Sequence, residues 1–312
     1  MSWANGSEPI GRGDVLVVDE AGMIGTWQMD RVAAKMREIG AKLVLVGDPE
    51  QLQPIEARTL FRGLVADHPA ARLTEIHRQR EDWQRTASRD LAEGRMAEAE
   101  SAYADHGALR PAATRDEAIE ALAETYAMDA AANGADKSRL AFTHRRRDVH
   151  ALNQAIRETL RPADQPREEV PLHTETGPRA FDAGDRLVFG RNDRELGVKN
   201  GMLGDVVAVS HEEMTVALDG DAPRQVTFDP RSYRHFDHGY TVTIHKSQGA
   251  TVDQAYVLAS GSMDHQLTYV AMTRHRDALT VFTSDADRPR WAQSQPEPSR
   301  ARARARDGPA MG

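Results

Sequence analysis

The sequence predicts an α/β fold with parallel sheets and a small antiparallel β insertion. Three observations lead there. Short apolar runs at 15–18 (VLVV) and 43–46 (LVLV) bracket a helix-period segment, and strand, helix, strand at that spacing makes the sheet parallel. A second unit of this kind opens at SRLAFTHRRRDVHALNQAIRETL, and parallel texture returns in GYTVTIHKSQGATVDQAYVLAS. Between them, residues 180–230 change to short alternating runs divided by Gly, Asp and Asn, the pattern of a small antiparallel barrel.

In chain order, Val15 to Val18 read as a buried parallel strand. A helix follows with Met29, Val32, Ala33 and Met36 on one face, stopped near Gly40. Leu43 to Val46 form the next buried strand. From Trp83 to Ala132 the composition is rich in Ala, Glu and Arg and reads as helices. Leu140 to Phe142 make a strand, and Val149, Leu152, Ile156 and Leu160 make the buried stripe of the helix after it. The prolines of RPADQPREEVP break structure and mark a boundary. DRLVFG, LGDVVAVS, MTVALDG and RQVTFD supply the barrel strands. A last helix, DHQLTYVAMTRHR, and a strand, ALTVF, follow, and the basic tail SRARARARDGP reads as disordered.

The bulk numbers narrow the function classes. The chain has 312 residues, 40% hydrophobic and 28% charged, enough for two ordinary domains. No apolar run approaches the roughly 20 residues of a membrane span, the first residues lack the apolar core of a signal peptide, and a cytoplasmic protein fits. With no cysteine there is no disulfide, thiolate metal site or thiol nucleophile. A net charge of −8 weighs against nonspecific DNA binding by the whole surface, but not against a local basic channel.

Candidate chemistry gathers at the carboxyl ends of the parallel strands, where open sheets bind ligands. DVLVVDEAGMIG ends a strand in Asp19 and Glu20, and LVLVGDPEQ ends one in Gly47 and Asp48. In ATPases the first acid after such a strand holds Mg²⁺ through water and its neighbour polarises the attacking water, which would make Asp19 the magnesium residue and Glu20 the general base. An acid pair that merely caps the next helix explains DEAG alone equally well. Gln51 follows the second strand end with an amide that can both donate and accept, suited to reporting a terminal phosphate. Arg78 in LTEIHRQ and Arg274 in YVAMTRHR, placed on the last helix, would complete a phosphate cage. IHKSQGAT is either an ordinary Gly turn or a loop in which His245, Lys246, Ser247, Gln248 and the Gly249 backbone would contact phosphates of a nucleic-acid strand or a nucleotide, and Thr143, Arg145, Arg146 and Arg147 in THRRRD offer backbone-phosphate contacts or a solvated helix start. His235 and His238 in HFDH do not resemble a metal site.

Taken in order, VVDEAGM, LVGDPEQLQPI, LTEIHRQ, YTVTIHKSQGAT and LTYVAMTRHRDAL resemble motifs II to VI of a superfamily 1 DNA helicase of the RecD-like branch. GRGDVLVVDEAGMIG, QREDWQ, GVKNGMLG and MDHQLTYVAMTRHRDAL narrow the resemblance to the helicase portion of Ti-type conjugative transfer relaxases, the TraA group, over roughly residues 10–285. The resemblance implies two RecA-like P-loop NTPase lobes, the first truncated, with an SH3-like barrel inserted in the second. Residues 1–75 would be lobe 1, 76–135 a helical connector, 136–165 with 236–285 lobe 2, 166–235 the barrel and 286–312 the tail. It also implies ATP and Mg²⁺ between the lobes and single-stranded DNA across both. Asp19 and Glu20 would serve magnesium and water, and Gln51, with Gly47 and Asp48 beside it, the terminal phosphate. Arg78 and Arg274 would reach that phosphate from the other lobe.

The chain departs from that pattern. The family's G-x-x-x-x-G-K-[ST] phosphate loop is absent, and no Gly-Lys dipeptide occurs anywhere. A nicking domain with its Tyr and His-rich metal site is absent too. The expectation is a fragment that alone binds ATP weakly and does not hydrolyse it, with apolar edges exposed in the first lobe. A chain supplying the phosphate loop, or relaxosome proteins, are the partners this implies. The alternatives are a non-catalytic single-stranded-DNA-binding or relaxosome interaction module, and a gene remnant without function.

Overall fold

The computed structural model describes residues 10–51, 60–73, 75–161, 168–220, 224–247 and 249–289. Gln248, part of LTEIHRQ at Thr74, LQPI at 52–55 and most of the basic tail lie outside these residues.

Residues 10–51 and 60–73 build the smaller unit. Strand β1 (Val15–Val18) pairs in parallel with β2 (Lys42–Leu45), joined by helix α1 (Thr26–Ile39). Gly40 ends α1 in the left-handed conformation at φ 78°, and the N–H groups of Gly40 and Ala41 both reach the Met36 carbonyl. Helix α2 (Leu60–Asp67) sends Phe61 into a small cluster with Ala21 and Met29, against which Val18, Ile24 and Leu45 pack. The strands expected to be buried are not. Val15 is 55% and Val17 58% exposed, because side chains alternate along β1 and only the Leu16/Val18 face meets the helices.

The larger unit is a parallel sheet covered on both faces. Its strand order is β12, β4, β13, β14, β3, with β3 (Leu109–Ala112), β4 (Arg139–Thr143), β12 (Thr241–Thr243), β13 (Val252–Leu258) and β14 (His275–Ser284). All four pairings are parallel. Leu140, Phe142, Val257 and Val281 point to one face, with helices α3 (Asp82–Ala92), α4 (Met96–Asp105) and α7 (His265–Met272). Ala141, Tyr256, Leu258 and Phe282 point to the other, with α5 (Arg115–Asn133) and α6 (Arg146–Leu160). Period-two alternation with both faces apolar explains why these strands read as continuous hydrophobic runs. A capping box starts α5: the Thr114 hydroxyl accepts from the Glu117 N–H and the Glu117 carboxylate reaches back to the Thr114 N–H.

This layer corrects the reading of 76–135 as a helical connector. The stretch supplies β3 and three covering helices. LRPA escaped notice as a strand because Pro111 interrupts it, and it is tolerated because β3 is the edge.

Between α6 and β12 the chain makes a hairpin, β5 (Val170–Thr174) with β6 (Gly177–Phe181), and a five-stranded antiparallel sheet ordered β10, β9, β8, β7, β11. Its strands are β7 (Arg186–Phe189), β8 (Leu203–Val209), β9 (Met214–Leu218), β10 (Arg224–Phe228) and β11 (Phe236–His238). Phe181, Phe189, Phe228, Tyr233 and Phe236 form its core. It therefore extends to His238, past the expected limit at 235. A buried ion cluster fastens it to the larger unit. The fully buried Asp185 carboxylate accepts from Arg157 Nε at 2.8 Å, Arg161 Nη2 at 2.7 Å and Tyr240 Oη at 3.0 Å. Where the chain leaves this sheet, a Cβ on Gly239 would lie 2.6 Å from the Leu187 carbonyl carbon, so no side chain fits.

Candidate functional site

The turn after β1 carries the two acids. Asp19 is exposed and its Oδ1 accepts the Glu20 N–H at 2.8 Å. Glu20 takes φ 50°, ψ 43°, and is the one non-glycine residue with positive φ among the described residues. A left-handed glutamate costs roughly 1–2 kcal/mol, a strain that persists only where the surroundings enforce it. They do so here: the Ala21 N–H bonds to the Val46 carbonyl at 2.9 Å, and a Cβ on Gly47 would sit 3.1 Å from the Ala21 nitrogen. Gly47 thus lets the turn carrying Asp48 lie directly against the turn carrying Glu20.

Asp48 orders its own turn. Its Oδ1 accepts the Glu50 N–H at 2.9 Å and its Oδ2 the Gln51 amide at 3.3 Å. From the larger unit, Tyr269 on α7 donates its hydroxyl to Asp48 Oδ2 at 2.8 Å, and Arg274 Nη2 reaches Gln51 Oε1 at 3.4 Å. Arg274 is 2% exposed, and its Nε is pinned to the Val270 carbonyl at 3.1 Å. Arg78 joins from the other side, Nη1 on the Thr273 carbonyl at 2.7 Å. Arg274 lies beyond the helix, not on it. Helix α7 stops at Met272, and from His275 the chain pairs with Val252 as β14.

The electrostatics mark this junction. Burial and then the neighbouring Arg78 lower Arg274 to about 10, while Tyr269, Glu20 and Asp48 pull it upward. Burial also lowers Arg78, opposed by Tyr269 and, more weakly, by Glu20. Burial and the Asp48 charge raise the Tyr269 phenol, which keeps it a donor. Two desolvated guanidiniums side by side are relieved by an anion between them. Arg78 and Arg274 can therefore take an anion such as a terminal phosphate, with Gln51 on Arg274 and with Glu20 and the exposed Asp19 on the adjoining turn, while Asp48 is occupied by Glu50, Gln51 and Tyr269. Tyr269 belongs to this group and was not singled out in the sequence, where only its place five residues before Arg274 could have pointed to it.

The residues expected to face a nucleic-acid strand divide. Arg146, the first residue of α6, and His245 and Lys246, in a short 3-10 turn after β12, are exposed. Thr143 and Ser247 are corrected: both are buried, their hydroxyls on the carbonyls of Leu258 at 3.4 Å and Ile244 at 2.7 Å. Arg145 is corrected too, because its guanidinium holds Asp287 through both Nη atoms. His144, not foreseen, stands 5.8 Å from the His245 ring and bonds Ser262 Oγ at 2.8 Å. Burial and then His144 hold His245 below the usual histidine value.

Comparison with known proteins fits this arrangement. A family model described as an AAA domain matches residues 1–114. The conjugal transfer protein TraA of Rhizobium radiobacter is 44% identical over 283 residues, 90% of this chain and 26% of that protein. The RecBCD enzyme subunit RecD of Mycolicibacterium smegmatis is 31% identical over 294 residues, 88% of this chain and 50% of that protein. The chain is a TraA-like, RecD-like helicase segment. It spans about a quarter of the length of the TraA proteins it matches (26% and 26% for two of them). A crystal structure of Bacteroides Pif1 bound to single-stranded DNA superimposes with a TM-score of 0.57 at 18% identity, covering 90% of this chain and 74% of that one. At that identity the likeness concerns the fold, and it is RecA-like.

Proposed function

We propose that this TraA-like segment is the motor portion of an ATP-dependent helicase that translocates along single-stranded DNA during conjugative transfer. The observation that carries the reading is the meeting of Asp48 and Gln51 from the smaller lobe with Tyr269 and Arg274 from the larger. In this reading the phosphates of ATP lie between the lobes. Asp19 would hold Mg²⁺, Glu20 would orient the attacking water, Gln51 would sense the terminal phosphate, and Arg78 and Arg274 would neutralise its charge. Magnesium, when bound, screens the phosphate oxygens. Arg146, His245 and Lys246 line the DNA path, and the antiparallel subdomain, SH3-like in this reading, helps hold the strand. Relaxosome proteins are the proposed partners.

The 312-residue polypeptide has no Gly-Lys dipeptide and so supplies no phosphate-loop lysine of its own. By itself it does not hydrolyse ATP. Hydrolysis measured with and without single-stranded DNA tests this: turnover that disappears in Glu20→Gln overturns the inactivity. Absence of salt-sensitive strand binding at low ionic strength overturns the DNA assignment. A second reading, a strand-binding module without catalysis, is favoured by the contrast between a five-stranded covered sheet in the larger lobe and the two described strands of the smaller. Strand binding that ignores Mg²⁺-ATP even when a phosphate-loop segment is added would select it.

A further inference from the structure

Tyr269 and Asp48 carry more than a place in the site. Asp48 uses both carboxylate oxygens on neighbours: Glu50 N–H at 2.9 Å on Oδ1, Gln51 Nε2 at 3.3 Å and Tyr269 Oη at 2.8 Å on Oδ2. A carboxylate occupied in this way is an anchor, not a free metal ligand. Tyr269 stands on a rigid frame. Its carbonyl accepts the Thr273 hydroxyl at 2.7 Å, and one residue on, the Val270 carbonyl accepts Arg274 Nε at 3.1 Å. Tyr269 and Arg274 thus move as one body, and so do Asp48 and Gln51. The two bodies meet through two parallel contacts, Tyr269 to Asp48 and Arg274 to Gln51. Both are charge-assisted, one through the Asp48 carboxylate and the other through the Arg274 guanidinium, and the first, at 2.8 Å against 3.4 Å, is the stronger of the two.

We propose that the Tyr269 hydroxyl is a positioning group that clasps Asp48 across the lobes and thereby sets Arg274 against Gln51. The inference rests on the motor reading for its purpose, but not for its geometry. It reassigns Asp48 from nucleotide ligand to the lobe-1 half of the clasp. It makes lobe approach and the pairing of Arg274 with Gln51 a single event. Without the clasp the longer Arg274 contact does not hold the lobes in register.

The test uses the full chain, whose lack of cysteine allows two labels without background. Spin labels on Ala34→Cys in α1 and Glu124→Cys in α5, both exposed sites, report the interlobe distance by pulsed electron resonance. The expected result is one narrow distance in the parent, lost in Tyr269→Phe, which keeps the ring and removes only the hydroxyl. Asp48→Asn, made from the other lobe, loses the narrow distance likewise, and the double variant shows no further change. A Tyr269→Phe distribution that superimposes on the parent, or a double variant whose effects add, overturns the clasp. Titrating the same labelled proteins with a single-stranded oligonucleotide separates the two claims. Failure to bind DNA with the clasp result intact sinks the motor reading alone, and DNA binding with an unchanged Tyr269→Phe distance sinks the clasp alone.

Discussion

At the residue scale, Glu20 shows how function is paid for locally. Its left-handed backbone is unfavourable for any side chain with a Cβ, so Glu20→Gly relieves strain and raises stability by about 1 kcal/mol in urea unfolding. The same change removes the water-orienting carboxylate of the proposed site. His275, next to Arg274 and fully buried, is lowered to about 4, mainly by burial. Because the unfolded chain takes up the proton first, the neutral ring contributes stability in full above pH 6.5. That contribution declines as pH falls toward 4, with a total of roughly 3 kcal/mol. Urea unfolding between pH 8 and 5 should show this decline, and His275→Gln should flatten it. The acids, Gln51 and both arginines were legible in the sequence because each sits at a strand end or in a motif of recognisable order. Thr143, Arg145 and Ser247 were misread because local spacing does not reveal burial or a partner such as Asp287, 142 residues away.

Among the elements, the parallel strands and α6 were legible from periodicity, since a sheet covered on both faces needs continuous apolar runs. The β3 strand was hidden by Pro111, and the end of α7 by a sequence that suits helix until β14 captures His275. What joins the antiparallel subdomain to the larger lobe was not legible at all. Asp185 pairs with Arg157, 28 residues earlier on α6, and with Tyr240 at the strand's return. Asp185→Ala leaves Arg157 paired with Glu169 and Arg161 with Asp182 but strips both guanidiniums and the Tyr240 hydroxyl of their buried acceptor, and costs about 1–3 kcal/mol, read as a lowered unfolding temperature.

Over the whole molecule, the two lobes differ in how far their described sheets are covered. The larger has both sheet faces covered, whereas β1 leaves Val15 and Val17 more than half exposed. Local stability follows such coverage, so amide hydrogen exchange at Val15–Val18 should be at least about tenfold faster than at Arg139–Thr143. The functional account turns on the junction between these lobes. Titration calorimetry with magnesium tripolyphosphate, a probe that needs only the phosphate end of the site, addresses it most directly. The account predicts weak, magnesium-dependent binding to the 312-residue chain. That binding should fall by about tenfold or more in Arg274→Ala, as expected for loss of a charge-assisted bond of roughly 1.5–3 kcal/mol. Equal affinity in the parent and in Arg274→Ala, or binding indifferent to magnesium, would contradict it.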